Sequence, residues 1–231
     1  MELKFASYNI HKAVGLDRRR DPDRILSVLH EIDADVVALQ ECDRRFGQRE
    51  SVLPRARIED SAYRPITLGI RPGSLGWHGN TFLVKKHLDI IEAEPLSLPT
   101  LEPRGAVRLD IEHEGKRVRA VGMHLDLSGF RRREQAVALL KHLDACDGTC
   151  PTVVMGDTNE WSRTGGMLRV FRDDWNCAEC GPSFPTRRPL ARLDRIFASR
   201  DWHHADSGVH HSFLASRASD HLPVWASLVL R

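Results

Sequence analysis

Apolar and polar positions alternate from Lys4 to Ile10, the period of a strand with one covered face. Asp21 followed by Pro22 makes an N-cap with proline at the first helical position. Ile25, Leu26, Leu29 and Ile32 then recur at helical spacing, and Val36-Val37-Ala38-Leu39 reads as a short buried strand. The chain is therefore predicted to open β-α-β.

Pro54, Pro65, Pro72, Gly69, Gly73 and Gly76 make the stretch from Arg44 to Gly79 loop-rich, with one strand expected near Tyr63 to Ile70. Thr81 to Val84, Ile90-Ile91, Val107 to Ile111 and Val118 to Val121 are β-type runs separated by turns, as in an antiparallel meander. Ser128 can cap a helix running to about Leu143, with Val137, Leu140 and Leu143 as its apolar face. Arg131, Arg132 and Arg133 at its start oppose the helix dipole and read as a solvated face, the alternative being a phosphate contact. The same choice holds for Arg18, Arg19 and Arg20. Val153-Val154-Met155 is a buried strand, Thr164 to Phe171 a short helix, and Leu193 to Ala198 and Leu222 to Leu230 further strands. Two packed, mainly antiparallel sheets flanked by helices fit this pattern better than one parallel sheet.

The 231 residues suffice for one large domain, 1–231, and 41% hydrophobic with 29% charged residues supports a proper core. The opening Met1 to Phe5 lacks a signal-peptide pattern and no apolar run is long enough for a bilayer, so a cytoplasmic protein, monomeric in the simplest case, is expected. A formal charge of +2 lacks the basic excess of a protein that grips nucleic acid by its phosphates. Cys42 stands alone, whereas Cys146, Cys150, Cys177 and Cys180 form C-x3-C and C-x2-C pairs. They are read either as a four-thiolate zinc site or as unrelated thiols.

Polar residues collect at strand ends, where packing does not require them: Asn9 and His11, Gln40 and Glu41, His124, Asp157 and Asn159, Asp194, and Asp220 with His221. Unpaired burial of such groups is costly, so they must satisfy one another or hold something, and a metal with a phosphate would satisfy them together. Glu41 suits a hard oxygen-seeking ion such as Mg2+. Taken singly, Asp157 and Asn159 are also an Asx turn, and Asp220-His221 a surface pair.

In order, Tyr8-Asn9-Ile10-His11, Leu39-Gln40-Glu41, Gly122-Met123-His124-Leu125, Gly156-Asp157-Thr158-Asn159, Leu193-Asp194-Arg195-Ile196-Phe197 and Ser219-Asp220-His221-Leu222-Pro223 resemble the signature motifs of the endonuclease/exonuclease/phosphatase superfamily. Trp77-His78-Gly79-Asn80, Asn159-Glu160-Trp161 and Thr186-Arg187-Arg188-Pro189-Leu190 are similar to a bacterial subgroup of small hydrolases, some encoded beside cardiolipin synthases. The resemblance implies a deoxyribonuclease-I-like α/β/β/α sandwich and phosphoester hydrolysis with Mg2+ or Mn2+. It implies Glu41 as main metal ligand with Asn9 and Asp220, Asp157 orienting the attacking water, Asn159 on a phosphoryl oxygen, and His221 steered by Asp194. His124 would contact phosphate or protonate the leaving oxygen.

Two departures stand out. Met123 replaces the family's usual threonine, removing a hydroxyl, and His78-Gly79-Asn80-Thr81 lacks the deoxyribonuclease branch's glutamate. Asn80 is expected to face the phosphate or His124 instead, and His11 to touch substrate. The favoured substrate is a small or lipid-derived phosphodiester, with a tie to phospholipid metabolism; an abasic-site nuclease and a catalytically dead binding module are the alternatives.

Overall fold

The computed structural model describes residues 1–44, 47–71, 73–100, 104–146 and 150–231; Pro72 of the loop-rich stretch lies outside them. In chain order the elements are β1 (Glu2–Asn9), α1 (Pro22–Ile32), β2 (Val36–Gln40), α2 (Arg55–Glu59), β3 (Tyr63–Pro65), β4 (Thr81–Lys85), β5 (Asp89–Leu96), β6 (Gly105–His113), β7 (Lys116–His124), α3 (Gly129–Asp144), β8 (Thr152–Asp157), β9 (Trp175–Cys177), β10 (Asp194–Ser199), β11 (Trp202–Val209), α4 (Ala215–Ala218) and β12 (Val224–Leu230). They form two mixed six-stranded sheets, ordered β11-β12-β1-β2-β4-β3 and β5-β6-β7-β8-β10-β9. Among the described residues only the β1/β2 and β7/β8 ladders are parallel, each bridged by a helix on the outer face.

Period-2 alternation sorts the side chains into layers. Leu3 and Phe5 of β1, Val36 and Ala38 of β2, and Val153 and Met155 of β8 join the core between the sheets. Tyr8, Val37 and Leu39 face α1, packing on Ile25, Val28, Leu29 and Ile32, while Val121, Met123 and Val154 face α3. Both faces of the central strands are thus buried, which is why they read as unbroken apolar runs. The predicted sandwich is the observed one.

The Asp21 carboxylate accepts the Arg24 N–H at 3.0 Å and so caps α1 as expected. Helix α3 departs from the reading. Ser128 makes no side-chain cap bond, and of the expected apolar face Leu140 and Leu143 pack on the core while Val137 is exposed, the most buried positions being Arg132, Gln135, Ala136 and Leu139. Arg132 is buried, donating to the Leu127 carbonyl at 2.7 Å and pairing with Glu160 at 3.5 Å, so it ties a loop rather than facing solvent. The strand near Tyr63 stops at Pro65, the expected short helix is a 3-10 turn over Gly166–Phe171, and α2, β9 and β11 were not anticipated.

Candidate functional site

The rows of inward side chains continue past the apolar core and turn polar at one end of the sandwich. Val118 and Ala120 of β7, Val153 and Met155 of β8, and Ile196 and Ala198 of β10 lie between the sheets. The same alternation places His124, Asp157 and Asp194 on that face at the strand ends, with Asn9 continuing the row of Leu3 and Phe5 opposite. Register brings them together: His124 is the ladder partner of Asp157, and Asp157 of Asp194. Gly156 makes this approach feasible, since a Cβ there would lie 1.9 Å from the Met123 carbonyl oxygen, at a φ of 153°.

His221 arrives from the loop before β12. Its Nδ1 lies 2.8 Å from Asp194 Oδ2, which also accepts the Ser183 hydroxyl at 2.5 Å, and its Nε2 lies 3.7 Å from Asp157 Oδ2. Burial opposes the imidazolium charge, but the carboxylates of Asp194 and Asp157 outweigh it and raise the pKa to about 10. His124 is the opposite case. Burial, aided by the Arg104 cation and only partly offset by Asp157, lowers it to about 4. Arg104 Nη1 lies against His124 Nε2; a guanidinium only donates, so this nitrogen carries no proton and His124 is neutral. The fold thus sets one charged and one neutral imidazole on either side of Asp157.

Asn9 donates to Asp157 Oδ2 at 3.0 Å and accepts the His11 N–H at 3.1 Å. Asn159 donates its amide to the Leu125 carbonyl at 2.9 Å, and its N–H closes an Asx turn on Asp157 at 2.9 Å. Glu41, just beyond β2, carries the ammonium of Lys12 on its carboxylate. Burial would raise the Glu41 pKa, yet it is lowered, with the Lys12 ammonium seated on the carboxylate. Asp220 is half-exposed, 3.9 Å from His11 Nδ1. Asn80 is buried with its amide on the Trp77 carbonyl, and its side-chain oxygen is without a partner. His11, Lys12, Ala13, Glu41, His78 and Asn159 all have positive φ, a concentration of strained backbone around one mouth.

The endonuclease/exonuclease/phosphatase family model matches residues 6–221. The chain belongs to this family. Its fold is shared by an endonuclease/exonuclease/phosphatase protein of Bacteroides vulgatus (17% identity, 100% of both chains, TM-score 0.79). It is also shared by a mannosyl-6-phosphatase of Bacteroides thetaiotaomicron (21% identity, 99% of this chain and 100% of that one, TM-score 0.75) and by TDP2 of D. rerio complexed with a single-strand DNA product (17% identity, 99% of both, TM-score 0.76). At these identities the likeness is one of fold. No curated protein matches the sequence.

Within this family member, two residues that the strand-end reading left out enter the site. Lys12, in the loop after β1, is committed to Glu41, and Arg104, just ahead of β6, is committed to His124. Nothing in the local pattern around either residue separates it from an ordinary surface cation. Gln40 is absorbed structurally, exchanging hydrogen bonds with Ser7 inside the sandwich. Met123 points toward α3, so a threonine in its place would not reach the mouth, and the expected loss of a hydroxyl contact does not arise. The four-cysteine zinc reading also fails: among the described residues the one group of three metal-ligating side chains with donor atoms within 4.8 Å is Asp157, Asp194 and His221. Cys146 Sγ instead meets the guanidinium of Arg108, and Cys180 Sγ the Trp225 carbonyl.

In the Asp157, Asp194 and His221 group, Asp194 takes the Nδ1 side of His221 at 2.8 Å and Asp157 lies 3.7 Å from Nε2, and a doubly protonated imidazole has no lone pair for an ion. Glu41 offers a hard carboxylate that already draws a cation, Lys12, and Asp220 and the Asn9 side-chain oxygen both lie on His11, one residue ahead of Lys12. Among the described residues, no helix is long and apolar enough to cross a membrane.

Proposed function

We propose that this protein is a divalent-metal-dependent hydrolase of a small or lipid-derived phosphodiester. The observation carrying the reading is the placement of a charged His221 and a neutral His124 on either side of Asp157, with Arg104 and the cation-holding Glu41 close by. Phosphoryl transfer depends chiefly on positioning and on stabilising negative charge, and these groups supply both.

Glu41, Asp220 and the Asn9 side-chain carbonyl would hold Mg2+ or Mn2+, which would supply Lewis-acid neutralisation of phosphoryl-oxygen charge. The Asp157 carboxylate, held by Asn9, orients the attacking water and accepts its proton as the new P–O bond forms and the bond to the leaving oxygen breaks. The His221 imidazolium, fixed by Asp194, faces the charge that builds on the phosphoryl group. Asn159 has a second amide hydrogen for the same oxygens. A neutral His124 serves as a phosphate contact rather than as the acid, with Arg104 adding a positive charge beside it. Asn80, whose buried oxygen has no partner, and half-exposed His11 line the substrate side.

The deciding assay is hydrolysis of bis-p-nitrophenyl phosphate, beside p-nitrophenyl phosphate and an abasic DNA duplex, each with Mg2+, Mn2+ or EDTA. Diester hydrolysis that EDTA abolishes and Mn2+ restores is expected. Turnover indifferent to EDTA would remove the metal from the mechanism, and cleavage of abasic duplex alone would make the protein a nuclease.

A further inference from the structure

Large apolar side chains are exposed along one side of the catalytic mouth. Leu127 (62% exposed) and Phe130 (69%) follow β7 directly after His124, Trp161 (65%) follows Asn159, and Leu190 (66%) precedes Asp194. Contacts join them into one arc. Arg132 bonds the Leu127 carbonyl and pairs with Glu160, the neighbour of Trp161. Trp161 then meets Phe184 edge-on at 6.1 Å, the Leu190 N–H donates to the Phe184 carbonyl at 2.9 Å, and the Phe184 ring lies 4.7 Å from that of His221. Four scattered apolar residues would need no explanation, but a linked set on the rim of a site does.

The charges on the same arc are basic. Arg133, Arg163, Arg187 and Arg188 are exposed there. The acids beside them are Asp126, buried and accepting the Ser128 N–H at 2.9 Å, Glu160, buried on Arg132, Glu134, paired with Arg131 at 2.7 Å, and exposed Glu179. The far end of the sandwich carries Asp33, Asp60, Glu114, Asp173, Asp174 and Asp201 interleaved with Lys85, Lys86, Lys116, Arg117 and Arg200, close to balance. Against that balance, exposed arginine is concentrated where the apolar groups are.

We propose that this arc docks the protein on an anionic phospholipid surface, presenting a phosphodiester of that surface to the mouth. Leucine and aromatic side chains enter the boundary between headgroups and acyl chains, while arginines pair with the phosphates above it. Single-stranded nucleic acid would also attract the arginines, but Leu127 and Leu190 offer bases no π face to stack on. The inference takes the phosphoester reading as its basis and adds where the substrate is met.

The test is co-flotation of the purified protein with vesicles of phosphatidylcholine alone or mixed with phosphatidylglycerol, in low and high salt. Two double variants accompany it, Leu127→Ser with Leu190→Ser and Arg187→Ser with Arg188→Ser, together with turnover of soluble bis-p-nitrophenyl phosphate. Flotation only with anionic vesicles is expected, weakened about fivefold per arginine removed and likewise by the leucine pair. Soluble-diester turnover should stay unchanged in the leucine pair, because those side chains are exposed and outside the reacting group. No flotation of the unmodified protein, or flotation indifferent to both double variants, overturns the proposal. Binding to single-stranded DNA that depends on the arginines but not the leucines, without flotation, would also overturn it and make the rim a nucleic-acid surface. Failure of soluble-diester hydrolysis would fault the phosphoester reading instead, and flotation is scored independently of it.

Discussion

The ammonium of Lys12 rests on the carboxylate of Glu41, and both residues hold left-handed backbone, with φ of 57° and 55°. The Lys12 N–H also donates to the Glu41 carbonyl at 3.1 Å, so two strained strand ends are stitched together side chain and main chain alike. A lysine in this place competes with a divalent ion for the same oxygens. Lys12→Met should bind Mn2+ several-fold more tightly by titration calorimetry on EDTA-treated protein, a change of about 1 kcal/mol. Weaker binding would show instead that Lys12 helps to build the metal site.

In the proposed mechanism Asp194 acts only through His221, which it holds at 2.8 Å. Asp194→Asn should lower kcat roughly a hundredfold or more while changing KM little, because the imidazolium loses its main stabilising charge. NMR titration of the His221 ring should show its pKa falling from about 10 toward the ordinary 6.5. A ring that still titrates near 10 would place the cause with Asp157.

The two histidines bend the stability profile in opposite senses. His221 has its pKa raised from 6.5 to about 10 by Asp194 and Asp157, with Asp220 adding to them, so its contribution is complete below 6.5 and disappears as pH rises through 10. His124, facing Arg104, Asp157, Glu41 and His221, is lowered to about 4, so the unfolded chain binds the extra proton and stability falls as pH drops from 6.5 toward 4. Thermal melts across pH should lose their alkaline decline in His221→Gln and become flatter below 6.5 in His124→Gln.

Gly156→Ala places a methyl where the Met123 carbonyl already lies, at 1.9 Å, and forces the two central strands apart. A loss of about 3 kcal/mol in urea unfolding is expected, with activity falling as well because Asp157 is the next residue. An unchanged midpoint would mean that the strands separate without strain.

Met123 supplies packing alone. Met123→Thr should lower stability by about 2 kcal/mol, through lost apolar volume and a buried hydroxyl, and leave kcat/KM for a soluble diester nearly unaltered. A several-fold gain in turnover would show that a hydroxyl there does reach the mouth.

What the sequence determined by itself was whatever lies in short-range periodicity and spacing. Runs such as Val36 to Leu39 and Val153 to Met155 marked central strands because both of their faces are covered, and Asp21-Pro22 marked a helix start because capping is local. Polar residues at the ends of those runs stood out because burial there demands partners. Only the tertiary structure decided who the partners are. Lys12 and Glu41 are 29 positions apart and Arg104 and His124 20, with no local pattern to tell them from surface cations. Helix α3 shows the limit within one element: Val137 is exposed and Arg132 buried, because the Leu127 carbonyl just before the helix and the Glu160 carboxylate from a distant loop converge on the arginine. The apolar arc is of the same kind: Leu127, Trp161 and Leu190 from three connections and Phe130 from the first turn of α3 are gathered at one end by the register of β7, β8 and β10.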